Sequence, residues 1–251
     1  AEATVATLQA KGIAAAAPVD GSGVDTLTGA TRRWRTFGLP REATHGLFIF
    51  GIQHLGEADA LPPAPLSDGI SQANAVSACD HIVVMTPDAE ACKTLFGDKF
   101  GIRLALDHSK PEWGVRQLFF RLGGVTLEVV QPLNAKRAPK AEHVWGLAWK
   151  AEEVAATAPR LAAAGHDVSE AKPGRKQGTL VATIKPPTNG IPTILVGPAN
   201  WGYDARESTG NGECEEGAGV VRRTGEPGKP LDSRGFLPRP RRRARRLCGL
   251  L

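Results

Sequence analysis

Nowhere in the 251 residues does an apolar run approach the length that spans a bilayer, and no basic stretch leads into an apolar one near the start. Neither a membrane segment nor a signal peptide is therefore expected, and the cytoplasm is the expected location. Cysteine is sparse. Cys79, Cys92, Cys214 and Cys248 show no CxxC pair and no regular spacing, which argues against a zinc knot or a disulfide framework and leaves them as ordinary thiols. Net positive charge is scarce outside the last fifth of the chain. Of the formal +5, the stretch from Trp201 to Leu251 supplies four, with eleven basic against seven acidic side chains, so the rest is nearly neutral. There is no methionine at position 1, and "AEATVATLQAKGI" already reads as a helix stopped at Gly12. The natural start is expected to lie upstream.

What is present is a rhythm. With 41% hydrophobic residues the chain can build a core. Three segments repeat the order of a helix ending at glycine followed by strands. The first runs from "ATVATLQAKGIAAAAP" through the strand-like "RRWRTFGLP" and "GLFIFGIQH". The second is fuller, with strand "HIVVM", helix "PDAEACKTLFGDKF", then strands "GIRLALD", "VRQLFFRLG" and "VTLEVVQP". The third repeats it as "VWGLAWK", helix "AEEVAATAPRLAAAG", "HDVSE", "GTLVATIKPP" and "IPTILVGP". A repeat of this length defines a βαβββ unit and an α+β fold. The predicted organisation is residues 1–56 as the surviving half of a first domain, 57–77 as a Pro/Ala/Ser-rich linker, 78–200 as a complete paired-module domain, and 201–251 as a disordered basic tail.

The paired βαβββ repeat, with its DHIVV first strand, PD-initiated helix and GVTLEVV fourth strand, resembles the vicinal oxygen chelate superfamily, also called the glyoxalase/bleomycin resistance/extradiol dioxygenase superfamily. The resemblance covers Asp80 to Pro198 well and Ala1 to His54 less well. It implies two modules closing a cupped mixed sheet around a divalent metal (Fe, Mn, Ni or Zn), with ligands from the first and fourth strands of each module. His81 and Glu128 fall at the two ligand positions of the second unit, and Glu128 is also the implied proton carrier. The third unit departs from the pattern, with Gly146 opposite His81 and Ile194 opposite Glu128. His143 or His108 is then needed to complete the set, or the metal is absent. In the first unit the matching position is Gln53, an amide.

Each residue also has a plainer reading. His81 caps a strand edge with Asp80 or backbone as its partner. A carboxylate inside an apolar strand must be paired or face a cavity, so Glu128 pairs with Arg116 or Arg121 across the sheet, or else binds a polar substrate. Trp113 and Phe119, with Arg116 and Arg121, are the candidate substrate-binding residues, although Trp113 and Phe119 also serve as packing. Trp145 and Trp149 are expected on the helix-packed face. Arg175 and Lys176 form a solvated basic turn at the rim. Two functional classes remain open: a metal-dependent lyase, isomerase or dioxygenase, or a metal-free binding protein of the drug-sequestering kind. The expected partner is a small molecule, with a homodimer compatible and no membrane. "RPRRRARR" would give salt-sensitive, sequence-blind phosphate binding on charge alone, and no specific nucleic acid is expected.

Overall fold

The structure, a computed structural model, describes residues 1–26, 29–56, 66 and 69–199. The tail from Trp201 and most of the predicted linker lie outside the described residues. The chain opens with α1 (Glu2–Ala10), which buries Val5 and Leu8 and stops at Gly12, where φ is 79°. That backbone region is open to glycine at little cost. Strands β1 (Val19–Val24), β2 (Thr31–Gly38) and β3 (Phe50–His54) follow as an antiparallel sheet in chain order. Sequence reading finds β2 and β3 but misses β1, because "VDGSGV" holds too little β-branched content to signal a strand.

The second unit is β4 (Val76–Met85), α2 (Ala89–Cys92) continued by wider π-type turns over Lys93–Lys99, then β5 (Arg103–Lys110), β6 (Val115–Leu122) and β7 (Val125–Pro132). Asp88 starts the helix, its Oδ1 accepting from the amides of Glu90 at 2.9 Å and Ala91 at 3.0 Å. A cap of this kind is worth about 1 kcal/mol. The third unit is β8 (His143–Ala151), α3 (Val154–Ala163), β9 (Lys172–Pro173), β10 (Thr179–Ile184) and β11 (Thr193–Pro198). The expected strand over "HDVSE" is corrected here. Val168 makes only an isolated bridge to Ile184, and the paired strand is the two-residue β9. Pro173 and Gly174 leave little room for a longer one.

The eight strands of these two units form one mixed sheet in the order β5-β6-β7-β4-β8-β11-β10-β9. Each unit contributes the order second, third, fourth, first strand inward from its edge, and the two first strands, β4 and β8, meet antiparallel at the centre. The βαβββ duplication is thus an approximate two-fold about the β4/β8 seam, as an α+β cupped sheet requires.

Strand alternation separates two faces. On the helix side, Val84, Leu118, Phe120, Leu127 and Val129 form a core with Cys92, Leu95 and Phe96 from the helix. Val5, Leu8, Ile13, Phe37 and Leu47 join that same core, so the segment before the linker is packed against the second unit. A smaller core gathers Ala151, Val154, Ala158, Leu180, Ala182 and Leu195, with Trp149 half-buried against it as expected. Trp145 does not follow: it is 48% exposed. A register shift between the Val83–Gly146 and Val84–Val144 pairs passes over Trp145 and takes it off the helix-packed side.

Arg116 also lies on the helix side, next to β5. Its Nε reaches Asp107 Oδ1 at 2.9 Å, and its Nη2 reaches Asp107 Oδ2 at 2.8 Å and Glu90 Oε1 at 2.7 Å, while Lys93 Nζ sits 3.2 Å from Asp107. The Arg116 hydrogen bonds outweigh desolvation and hold the Asp107 carboxyl at about 2, below its ordinary 3.8. A depressed folded value means the stabilisation is complete above 3.8 and is lost as pH falls through about 2. Asp107→Asn is therefore expected to lower stability at neutral pH by about 1 kcal/mol or less, as for a partly exposed pair. The gap to wild type should close as the pH of thermal melts is lowered toward 2, and a gap constant down to that pH would contradict the ion pair.

Candidate functional site

The face opposite the helices carries a continuous cross-strand row: Arg121, Thr126, His81, Ala148, Ile194 and Thr183, each paired with the next. The adjacent row is Phe119, Glu128, Val83 and Gly146. His81 and Glu128 are diagonal neighbours on β4 and β7, as their strand positions predict. The His81 Nε2 to Glu128 Oε2 separation is 3.9 Å, and both side chains are mostly buried.

Two further contacts determine what that gap can hold. His81 Nδ1 lies 2.8 Å from Asp80 Oδ1, and in the neutral tautomer that donates to Asp80 the lone pair is on Nε2. Glu128 Oε1 accepts from Gln117 Nε2 at 2.6 Å, and Gln117 Oε1 in turn lies 3.3 Å from His108 Nε2. Glu128 is paired with an amide, and the alternative partners Arg116 and Arg121 do not reach it. Its second oxygen and the imidazole lone pair then face each other too far apart for a hydrogen bond. Two acceptors in this arrangement are complementary to a polar hydrogen or a cation. Two ligands each about 2.1 Å from one ion can lie no more than about 4.2 Å apart, so the pair fits two corners of a divalent coordination sphere.

The strand register also tests the other half of the ligand set. Glu128 pairs with Val83 as Ile194 pairs with Ala148, and His81 pairs with Ala148 as Gly146 pairs with Val83. Under the approximate two-fold, Gly146 is the counterpart of His81 and Ile194 that of Glu128. Neither offers a ligand atom. His143 does not substitute, since it sits opposite Met85, four residues along the strand from His81, and its Nδ1 lies 3.2 Å from the Ala141 carbonyl. His108 is one amide removed from Glu128. Among the described residues, two of the four expected ligand positions of the cup therefore carry side chains able to coordinate.

The candidate substrate-binding residues divide. Phe119 pairs directly with Glu128 and has its ring 5.9 Å from that of His108, and Arg121 shares the face, with Nη1 donating to Thr126 Oγ1 at 2.6 Å. Trp113 is 40% exposed on a short turn before β6, with Lys110 Nζ 5.5 Å and Arg175 Cζ 4.9 Å from its ring centroid. Through Arg175 it links the second unit to the third at a cationic rim. Arg116 is on the opposite face and fully engaged by carboxylates, so it is not brought together with the others. Sequence reasoning missed Gln117, because a glutamine in a strand carries no signal until its register against Glu128 is known. An apolar cavity of about 130 Å³ lies on the helix side, walled by residues such as Phe48, Ile82, Phe96 and Leu127, and holds none of these groups.

Residues 80–183 match the model of the Glyoxalase/Bleomycin resistance protein/Dioxygenase superfamily. Solved structures similar to the chain include methylmalonyl-CoA epimerase from Mycobacterium tuberculosis, at 19% identity and a TM-score of 0.43, covering 54% of this chain and 94% of that one. A variant of the Streptomyces coelicolor methylmalonyl-CoA epimerase in complex with 2-nitronate-propionyl-CoA is 21% identical with a TM-score of 0.41, covering 50% of this chain and 99% of that one. No curated protein matches the chain. The family match runs from the first strand of the second unit into β10 of the third, so residues 80–183 form a glyoxalase-like domain of the vicinal oxygen chelate superfamily.

Proposed function

We propose that the concave face binds a small molecule whose polar group enters the gap between His81 and Glu128, and that Glu128 moves a proton on it. The observation that supports this reading is the 3.9 Å pair of facing acceptors, one fixed by Asp80 and the other by Gln117. Glu128 accepts the proton on Oε2 while Gln117 holds Oε1, so the carboxylate does not rotate away. Phe119 covers the gap from β6 and limits water. Arg121 and the Lys110–Trp113–Arg175 rim attract negative charge on the ligand. A divalent ion held by His81 Nε2 and Glu128 Oε2 would polarise a substrate oxygen, the chemistry of a metal-dependent lyase, isomerase or dioxygenase.

Gly146 and Ile194 favour a second reading, a metal-free protein that sequesters a small molecule. Titration of the full chain with Mn2+, followed by water-proton relaxation, separates the two. Weak binding lost in both His81→Ala and Glu128→Ala is the expected result. Tight one-to-one binding that survives both substitutions would overturn the ligand assignment, and no binding at all would favour the sequestering reading. Arg116→Ala should leave Mn2+ binding unchanged while lowering the melting temperature. A loss of Mn2+ binding in that variant would return Arg116 to the site.

A further inference from the structure

Away from the cup, three side chains from distant parts of the chain converge. His45 follows the short turn Arg41–Thr44 in a left-handed conformation, φ 54°, that is uncommon outside glycine. Its Nδ1 is buried, makes no hydrogen bond, and lies 3.3 Å from Glu142 Oε1. The Glu142 side chain, just ahead of β8, is only 8% exposed, and the same oxygen accepts from the Thr86 hydroxyl at 3.1 Å. Cys92, fully buried at the end of α2, places Sγ 4.0 Å from that oxygen and 3.4 Å from Thr86 Oγ1. One nitrogen, one sulfur and one oxygen ligand atom all lie within 4.8 Å of one another.

A histidine–glutamate ion pair alone would satisfy His45 Nδ1 with a hydrogen bond, and that bond is not made. A tetrahedral zinc ion with Zn–N and Zn–O near ~2.1 Å and Zn–S near ~2.3 Å sets ligand–ligand edges of about 3.4–3.6 Å. The observed 3.3 Å and 4.0 Å separations bracket that range. We propose that His45, Cys92 and Glu142 bind a Zn2+ ion, with the fourth position open to water or a small ligand. The site is separate from His81 and Glu128, because α2, which carries Cys92, packs on the opposite side of the sheet. Its donor set differs as well, since a thiolate selects zinc over the harder ions that an imidazole–carboxylate pair admits. The ion would join the segment before the linker, through His45, to the glyoxalase-like domain, through Cys92 and Glu142. Thr86, donating to the Glu142 oxygen, orients that ligand from outside the coordination sphere.

The test uses the full chain, stripped of metal by chelation and titrated with Co2+. One equivalent of cobalt carrying a thiolate-to-cobalt charge-transfer band, displaced by Zn2+, is expected. Cys92→Ser should abolish the band, whereas Glu128→Ala should leave it intact. A wild type without the band overturns the proposal, as does a band undiminished in Cys92→Ser, which would then arise from another thiol. Should Cys92→Ser fail to fold, His45→Asn and Glu142→Gln decide. Asparagine tolerates the left-handed backbone at position 45, both variants keep Cys92, and unchanged cobalt affinity in the two of them overturns the site.

Discussion

Phe120→Ala is expected to lower the unfolding free energy by about 3–5 kcal/mol, the range for truncating a fully buried aromatic. Phe120 has no exposed surface, and its ring lies 5.7 Å from that of Phe96, which stacks edge-on against Phe100 at 5.9 Å. The cavity left behind would open into the core shared by α1, β2 and the second unit, so both parts of the chain should loosen together. The neighbouring Phe119→Ala supplies the control. Phe119 points to the concave face, is half-buried, and should cost well under half as much. Comparable losses for both variants, measured by denaturant unfolding, would mean that the strand does not present alternate residues to core and cup.

Glu128→Leu is expected to separate stability from function. The substitution leaves the Gln117 amide without its acceptor, at about 1–3 kcal/mol. It also removes a mostly buried carboxylate and adds an apolar side chain worth about 1.5–3 kcal/mol when buried. These contributions nearly offset, so the melting temperature should move little, while Mn2+ capture should disappear. Any proton transfer on a ligand should fall by about 10²–10⁴-fold, the usual contribution of a general base. A loss of several kcal/mol instead would mark Glu128 as a structural carboxylate whose partners the fold depends on.

The duplication was readable in the sequence because each unit repeats the same order of elements with strong apolar strands, and HIVVM and TLEVV fall on the strands their composition predicts. Elements with weak local signals were not readable. β1 is rich in glycine and aspartate, and β9 is too short to show a period. At the site, His81 and Glu128 stand out because a polar group in an apolar strand is costly. The gap between them depends on Asp80 and Gln117, and only the strand register shows which glutamine meets which glutamate. Arg116 illustrates the limit in the other direction. Its charge suggested a ligand contact, but it sits one residue out of phase with Gln117 and Phe119 and faces the helix. His45, Cys92 and Glu142 are separated by more than forty residues at each step, and no spacing rule would group them.

Gly146 bears on any attempt to engineer a four-ligand centre into this protein. A Cβ built there would lie 3.4 Å from the Pro192 carbonyl and 3.8 Å from the Val83 side chain, ordinary contact distances, so the position itself accepts a side chain beside the backbone that leads into β11. That same carbonyl accepts from the Leu147 amide at 2.9 Å and helps stitch β8 to β11. Grafting Gly146→His together with Ile194→Glu would therefore meet ordinary contacts at Cβ, and the imidazole beyond it would have to take a rotamer that leaves this carbonyl to its amide. A designer could thus introduce both ligands on the existing backbone and leave the 188–192 turn as it is.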